Sequence, residues 1–389
     1  MSGRNELVTA DCVVVGGGVI GLSIAYQLSC DGLSVSLLDR VFDSNSSGKQ
    51  ASWAGAGIIP PPNRAAGAHP SEQLHRLSYD LHVAWSERLK AESGIDNGLR
   101  RCGAIYIARS AGEAASLLAN LEMLAHQLIS ASKMGRDELI DKEPDLYSLV
   151  DSGQLKTALY LPDELQLRNP RHLRALRIAC QKRNVHFVEL PAADGHSPLR
   201  WKTSGGRAIA LETDEHTFQA NDFCIAAGAW SYEILKSFGV TLGVFPMRGQ
   251  MLLFRADQSS LSHVINEGPR YLVPRGDGFV LAGSTEEEVG FANHTTEEAR
   301  LDLLEFARTI SPQLDNHTLI DSWSGLRPAT LDGVPFIGTL SDPKNLFYAT
   351  GHFRSGLTMS TGTALVMSQL IRGEQTDIDV HALGINRGV

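Results

Sequence analysis

Cysteine is scarce in this chain. Its 389 residues hold five, at Cys12, Cys30, Cys102, Cys180 and Cys224, with no CxxC pair among them. An odd, scattered set is not a disulfide framework and offers no zinc-type spacing. These thiols read as reduced and mostly buried, as expected of a cytoplasmic protein. Long apolar runs are missing too. No segment reaches 18 uninterrupted apolar residues, so no membrane-spanning helix is expected. The opening "MSGRNELVTADCVVVGGG" lacks a basic stretch followed by a long apolar one, so no signal peptide is expected. Basic residues are not in excess: 35 Lys and Arg stand against 44 Asp and Glu, a formal net charge of −9. That balance argues against a nucleic-acid partner bound by phosphate neutralisation. Internal repeats and low-complexity tails are absent.

What is present is ordinary for a globular protein, with 43% apolar and 20% charged residues, and the length predicts two or three domains. "DCVVVGGGVIGLSIAYQLSCDGLSVSLLDR" reads as a βαβ unit: a buried strand Cys12 to Val15, a glycine turn, a helix Val19 to Ser29, and a second strand ending at Asp39. The small-residue stretch Ser46 to Gly57 reads as a loop packed closely against something. Leu74 to Ser93 and Gly112 to Leu128 are amphipathic helices. Asn169-Pro170 predicts a helix start with Asn as N-cap, running to about Lys182. From about Gly249 to Gly283 the pattern changes to short strands, "QMLLFRA", "RYLVP" and "GFVLAG", with a Gly276-Asp277-Gly278 hairpin signal. "TTEEARLDLLEFARTI" is a helix with acids in its first turn.

Parallel-type βα units thus alternate with an antiparallel block. The expected fold is an α/β Rossmann-like (GxGxxG) dinucleotide domain, discontinuous in sequence, plus an α+β substrate domain with a mainly antiparallel sheet. The first is assigned to residues 1–90, 159–238 and 322–389, the second to 91–158 and 239–321.

Gly16-x-Gly18-x-x-Gly21 lies between strand and helix, the context that gives this motif meaning. Gly16 permits the tight turn, Gly18 a close approach of backbone to a pyrophosphate, and Gly21 close helix–strand packing. The helix N-terminus favours the phosphates, and Asp39 is placed to accept hydrogen bonds from a ribose. The alternative is a glycine turn that serves packing alone. The serines and small residues of Ser46 to Gly57 favour FAD over NAD, since they let the chain pass close to a large flat ring.

"VVVGGGVIGLSIAYQL", "ASWAGAGII", "AAGAWS", "PMRGQML", "RYLVPR", "WSGLRPATLDGVPFIG" and "GHFRSGL" occur in an order that resembles the D-amino acid oxidase family of flavoproteins, and most of all its glycine oxidase branch, the enzyme of bacterial thiazole synthesis. The resemblance covers almost the whole chain. It implies that Arg327 grips a substrate carboxylate, which suits a planar guanidinium with two parallel donors. It implies that the Tyr271 hydroxyl shares that carboxylate and that Arg354 lies beside flavin and substrate. The alternative readings are Arg327 as a domain-bridging ion pair, Tyr271 as a core tyrosine, and Arg354 as a brace for its turn. The resemblance further implies FAD contacts by Val19, Ile20, Arg40, Ser47, Ala51, Ser52, Gly57, Ala227, Gly228 and Trp230. It implies the same for the turn Gly351, His352, Phe353, Arg354, Ser355, Gly356 and Leu357. His352 reads either as a base or as a neutral ring bonded to backbone or flavin. A helix beginning near Leu357 would aim its N-terminus at the flavin.

Glu286, after "LAGST", departs from the branch, where an apolar residue stands in some members; it would select an amine, alter size preference or face solvent. No cysteine lies near Gly325, where monomeric sarcosine oxidases attach flavin, so noncovalent FAD is expected. The implied reaction is oxidation of glycine or a small N-substituted glycine to oxo acid, ammonia and hydrogen peroxide, positioned by Arg327 and Tyr271, with no separate acid or base. The alternatives are a dehydrogenase that passes electrons from a D-amino acid to a quinone or another acceptor, and a flavin-binding module without turnover. A homo-oligomer is implied by the same branch.

Overall fold

The computed structural model describes residues 6–40, 50–190, 199–256, 261–316 and 318–387. The strand Glu6–Val15 runs parallel to His216–Ile225 on one side and to Val35–Asp39 on the other. His186–Glu189 extends the parallel set beyond Val35–Asp39, and Leu346–Thr350 joins it beside His216–Ile225. Antiparallel strands Arg200–Ser204, Arg207–Glu212 and Phe336–Thr339 complete an eight-stranded sheet. Val13, Val14, Leu37 and Leu38 are fully buried, as a parallel strand covered on both faces requires. The helix Val19–Cys30 is buried over most of its circumference. It packs with Ser360–Ile371 and Asn169–Lys182 on one face of the sheet, and Pro70–Ser93 joins this layer.

The second sheet also has eight strands, in the order Thr318–Thr330, Val244–Arg255, Phe279–Gly283, Arg270–Arg275, Val264–Glu267, Ala104–Ala108, Thr157–Leu161, Ser132–Lys133. Its one parallel contact is between Val264–Glu267 and Ala104–Ala108. Side chains along Val244–Arg255 alternate by face. Leu252 and Phe254 join Ile105, Leu272 and Val280 under the helix Glu297–Ile310, whereas Met251 joins Tyr271 and Val273 on the opposite face. Register lines up Trp323, Met251, Gly283, Tyr271, Asn266 and Tyr106 across six strands. Directly paired residues share a face, so this row forms one wall.

Four local expectations need correction. The expected boundaries at 158/159 and 321/322 fall inside the strands Thr157–Leu161 and Thr318–Thr330, because each ladder of hydrogen bonds continues past the point chosen. Arg168, not Asn169, holds the N-cap position of Asn169–Lys182; the Asn169 amide instead donates to the Ser52 carbonyl at 2.8 Å. The expected loop before Gly57 contains one helical turn, Ala51–Ala54, stopped at Gly55. The C-terminal helix starts at Ser360 rather than near Leu357, after a short 3-10 turn at Phe353–Ser355.

Two glycines cannot carry a side chain where they stand. Gly16 has φ +114°, and a Cβ there would lie 2.3 Å from the Ala226 carbonyl oxygen; at Gly21 it would lie 1.8 Å from the Gly16 carbonyl oxygen. Backbone must move to admit a methyl, so Gly21→Ala is expected to cost at least about 1–3 kcal/mol. The check is the chemical-denaturation midpoint of the purified variant, and an unshifted midpoint would contradict the packing described.

Candidate active site

One cavity of about 900 Å³ runs from the glycine turn of the first sheet to the row of side chains on the second. That is at the large end for small-molecule sites. Gly16, Gly18, Val19, Ile20, Asp39, Arg40, Ala51, Ser52, Gly57, Ala227, Gly228 and Trp230 line it, as do Tyr271, Arg327 and the segment His352 to Thr358. Gly21, Gly351 and Glu286 do not. Ser47 lies outside the described residues. Gly351 has a packing role: its φ is +76°, and a Cβ would meet the Thr330 methyl at 2.5 Å.

At the glycine end, Asp39 accepts from the Gly17 amide at 2.8 Å and from the Gln50 side chain at 2.9 Å. The Val19 amide, first in its helix, donates to Ser52 Oγ at 2.9 Å. The middle of the cavity is walled by the turn Gly55 to Gly57. Gly57 (φ +75°) passes so close to Leu167 that a Cβ would sit 2.0 Å from its carbonyl oxygen. Arg275 holds this crossing, donating to the Ala56 carbonyl at 2.5 Å, the Leu167 carbonyl at 3.0 Å and Gln166 Oε1 at 2.9 Å. Burial pushes its guanidinium down to about 9, still protonated near neutrality. The Trp323 indole donates to the Ala54 carbonyl at 3.1 Å and ties the same turn to the second sheet.

The segment His352 to Thr358 closes the cavity between the sheets. The helix behind it does not reach the cavity, and its first amides are engaged within the protein: Ser360 with the Leu357 carbonyl, Gly362 with Ser78 Oγ at 2.9 Å, Thr363 with the Met359 carbonyl. The expected helix N-terminus aimed at a flavin is thus replaced by a turn. His352 is buried, with Nε2 3.1 Å from Thr363 Oγ1 and Nδ1 without a protein partner. Burial pushes its pKa down to about 3, so the ring is neutral and a poor base near neutrality.

At the far end Arg327 lies flat against Gly249. A Cβ on that glycine would be 2.2 Å from both terminal nitrogens. The guanidinium donates to the Thr285 carbonyl at 3.0 Å and Ser284 Oγ at 2.8 Å, both neutral acceptors. Burial pushes its pKa down, Tyr271 and Glu286 push it back up, and Arg354 opposes them, so the four groups share one field. Tyr271 is 7% exposed and its hydroxyl reaches Met251 Sδ at 3.4 Å. Arg354 stands over the Tyr271 ring, 6.0 Å from its centroid, and pairs with Glu286.

The sequence reading passed over Arg275, Asn266, Tyr106 and Glu164. Glu164 is wholly buried and accepts from the Tyr106 hydroxyl at 2.8 Å; Tyr106 and Asn266 line the cavity. Burial pushes the Glu164 carboxyl up to about 7. The only signal in the sequence was an acidic pair, Asp163-Glu164, inside the otherwise mostly apolar "YLPDELQL".

Glycine turn, acid-tipped second strand and long cavity fit a nucleotide-dependent enzyme, with a buried guanidinium at the end of the cavity away from the glycines. The lining fits FAD: the glycines leave room for backbone contact with a pyrophosphate, and His352 Nδ1 is a buried polar atom still to be satisfied. Residues 11–370 match the FAD dependent oxidoreductase family, and the chain belongs to that family and is an FAD-dependent oxidoreductase. It is 32% identical over 371 residues to a glycine oxidase of Pseudomonas aeruginosa, covering 94% of this chain and 96% of that one. It is 30% identical over 386 residues to the bifunctional protein ThiO/ThiG of Synechocystis, covering 97% of this chain and 54% of that protein. The crystal structure of a Geobacillus kaustophilus glycine oxidase superposes with a TM-score of 0.89 at 27% identity, covering 98% of this chain and 99% of that one. Among the described residues no helix is long and apolar enough to cross a membrane, and no cluster could hold a metal ion.

The buried titrating groups predict a pH dependence with two opposed signs. His82 (about 4), His172 (about 3) and His352 (about 3) are lowered by burial. The unfolded chain binds their protons first, so they make stability fall as pH drops below about 6.5. Glu164 is raised, so the folded state binds its proton first and stability falls as pH rises from about 4.5 to 7. Glu164→Gln is therefore expected to steepen the stability loss between pH 7 and pH 5 by about 2 kcal/mol. Urea midpoints of both proteins at the two pH values check this; parallel behaviour would contradict it.

Proposed function

We propose that the FAD-bound chain oxidises glycine or a small N-substituted glycine, releasing oxo acid, hydrogen peroxide and ammonia, or the matching primary amine where the nitrogen is substituted. The observation that carries this reading is the buried Arg327 guanidinium, which donates to the neutral Thr285 carbonyl and Ser284 hydroxyl at the cavity end. A cation so placed lacks a counter-charge. A carboxylate supplies it with two parallel charged hydrogen bonds. The likeness to the Pseudomonas aeruginosa and Geobacillus kaustophilus glycine oxidases supports glycine-like substrates.

In this reading the Tyr271 hydroxyl, held by a weak thioether contact, turns to the second carboxylate oxygen. Gly283 leaves the space for its ring, since a Cβ there would meet Met251 Sδ at 2.2 Å and Tyr271 at 3.0 Å. The turn His352 to Leu357 forms the wall for the flavin ring, while Asp39, Ser52 and the Gly16–Gly18 turn receive the nucleotide part. When bound there, the flavin would supply a two-electron acceptor for the substrate C–H bond, with oxygen as the final oxidant. The chain contributes position, and a substrate imine then hydrolyses to oxo acid and ammonia, or a primary amine from an N-substituted glycine. No cysteine lines the cavity, which supports noncovalent FAD. The same reading assigns the cofactor to the first sheet and the substrate to the second. It places the protein in the cytoplasm, with five free cysteines in support, and in the thiamine pathway that the branch implies.

Anaerobic addition of glycine or sarcosine is expected to bleach the flavin, and turnover of glycine in air to give one peroxide per ammonia. Bleaching without peroxide would turn the reading to a dehydrogenase; no bleaching by any amino acid would remove it. Arg327→Met is expected to weaken carboxylate binding by about 10²–10³-fold, as for loss of a buried charge-assisted contact. Tyr271→Phe removes one neutral hydrogen bond and is expected to cost about tenfold. Titration of flavin absorbance with acetate reads both.

A further inference from the structure

The second cation at the substrate end already has a partner. Arg354 pairs through Nη1 with Glu286 Oε1 and donates from Nη2 to the Pro269 carbonyl at 3.1 Å. The side chains of Arg354 and Glu286 are 34% and 36% exposed, so the pair stands at the cavity rim rather than in the core. An ion pair in that setting contributes little to stability. Arg354 lines the cavity and Glu286 does not. The acid therefore approaches Arg354 from outside the cavity lining and leaves its own carboxylate out of the substrate space.

A charge count follows. Arg327 and Arg354 both bring a positive charge close to Tyr271, and Glu286 cancels one of them. The remaining single charge matches one carboxylate. A substrate with a second carboxylate, on its side chain or on a nitrogen substituent, would find Arg354 taken and would meet the Glu286 charge beside it. Like charges at close range discriminate more strongly than lost attraction alone.

We propose that Glu286 is a specificity-determining residue: it occupies Arg354 and so confines the enzyme to monocarboxylate amino acids against dicarboxylates. This rests on the proposed function for the position of the substrate, and it goes beyond it in assigning the second charge. Glu286 acts through Arg354, as a positioning residue without contact to the reacting atoms.

The test compares wild-type holoenzyme with Glu286→Gln and Glu286→Ala. Acetate and malonate, which do not react, are titrated against flavin absorbance, and sarcosine and iminodiacetate are compared by kcat/KM. Both variants are expected to shift the malonate-to-acetate affinity ratio, and the iminodiacetate-to-sarcosine kcat/KM ratio, by about tenfold or more towards the dicarboxylate. Adding Arg354→Met to Glu286→Gln is expected to abolish the shift. Unchanged ratios, a shift that survives loss of Arg354, or equal losses for sarcosine and iminodiacetate would overturn the proposal; equal losses would mean that Glu286 holds the substrate amine. The acetate and malonate arm reads binding alone. A shift there in an enzyme whose flavin no amino acid reduces would uphold the role of Glu286 and overturn the catalytic reading instead.

Discussion

A guanidinium pressed against a bare strand organises this molecule. Arg327 lies on Thr318–Thr330 and covers Gly249 on the neighbouring strand, where any side chain would displace it. Its hydrogen bonds to Thr285 and Ser284 fix its orientation without cancelling its charge. Desolvating a cation without a counter-ion is costly. The second sheet meets that cost with an extended antiparallel ladder and a helix-covered core on its other face. What results is a site that, in the function proposed, a small carboxylate completes.

The rest of the structure brings the cofactor cavity to that charge. The row Trp323, Met251, Tyr271, Asn266 and Tyr106 shares one face of the second sheet, with Tyr271, Asn266 and Tyr106 lining the cavity, and its register follows from the same ladders that fix Arg327. The turn Ala51 to Gly57 spans from the nucleotide end towards this row, braced by Arg275 and Trp323. Gly325 makes its approach possible, since a Cβ there would be 2.7 Å from the Ala54 methyl. Opposite, His352 to Thr358 closes the space with backbone and a neutral histidine. Acidic and basic groups then differ by position: Asp39 at the nucleotide end, Arg327 in the substrate end, and the Arg354–Glu286 pair at the rim.

The nucleotide end was legible because its determinants are local. Glycine spacing, a buried strand and a closing acid fall within one βαβ unit, and backbone crowding at Gly16 and Gly21 explains the motif. The antiparallel strands around the hairpin signal were legible for the same reason. Arg327 and Tyr271 came from family resemblance, since nothing in their neighbourhood of sequence shows that a glycine lies opposite. Arg275, Glu164 and Tyr106 were missed because their partners lie 58 to 219 residues away. The start of the last helix was misplaced by three residues, because the glycines that suggested it belong to a turn held by tertiary contacts. Asn169 reads as a cap until Ser52, 117 residues distant, competes for its side chain.

The most direct test is a crystal structure of the FAD-bound protein with acetate. The account predicts both carboxylate oxygens on the Arg327 guanidinium, the Tyr271 hydroxyl turned from Met251 to the ligand, and Glu286 still on Arg354. Acetate bound to Arg354 with Glu286 displaced, or absent from Arg327, would contradict it.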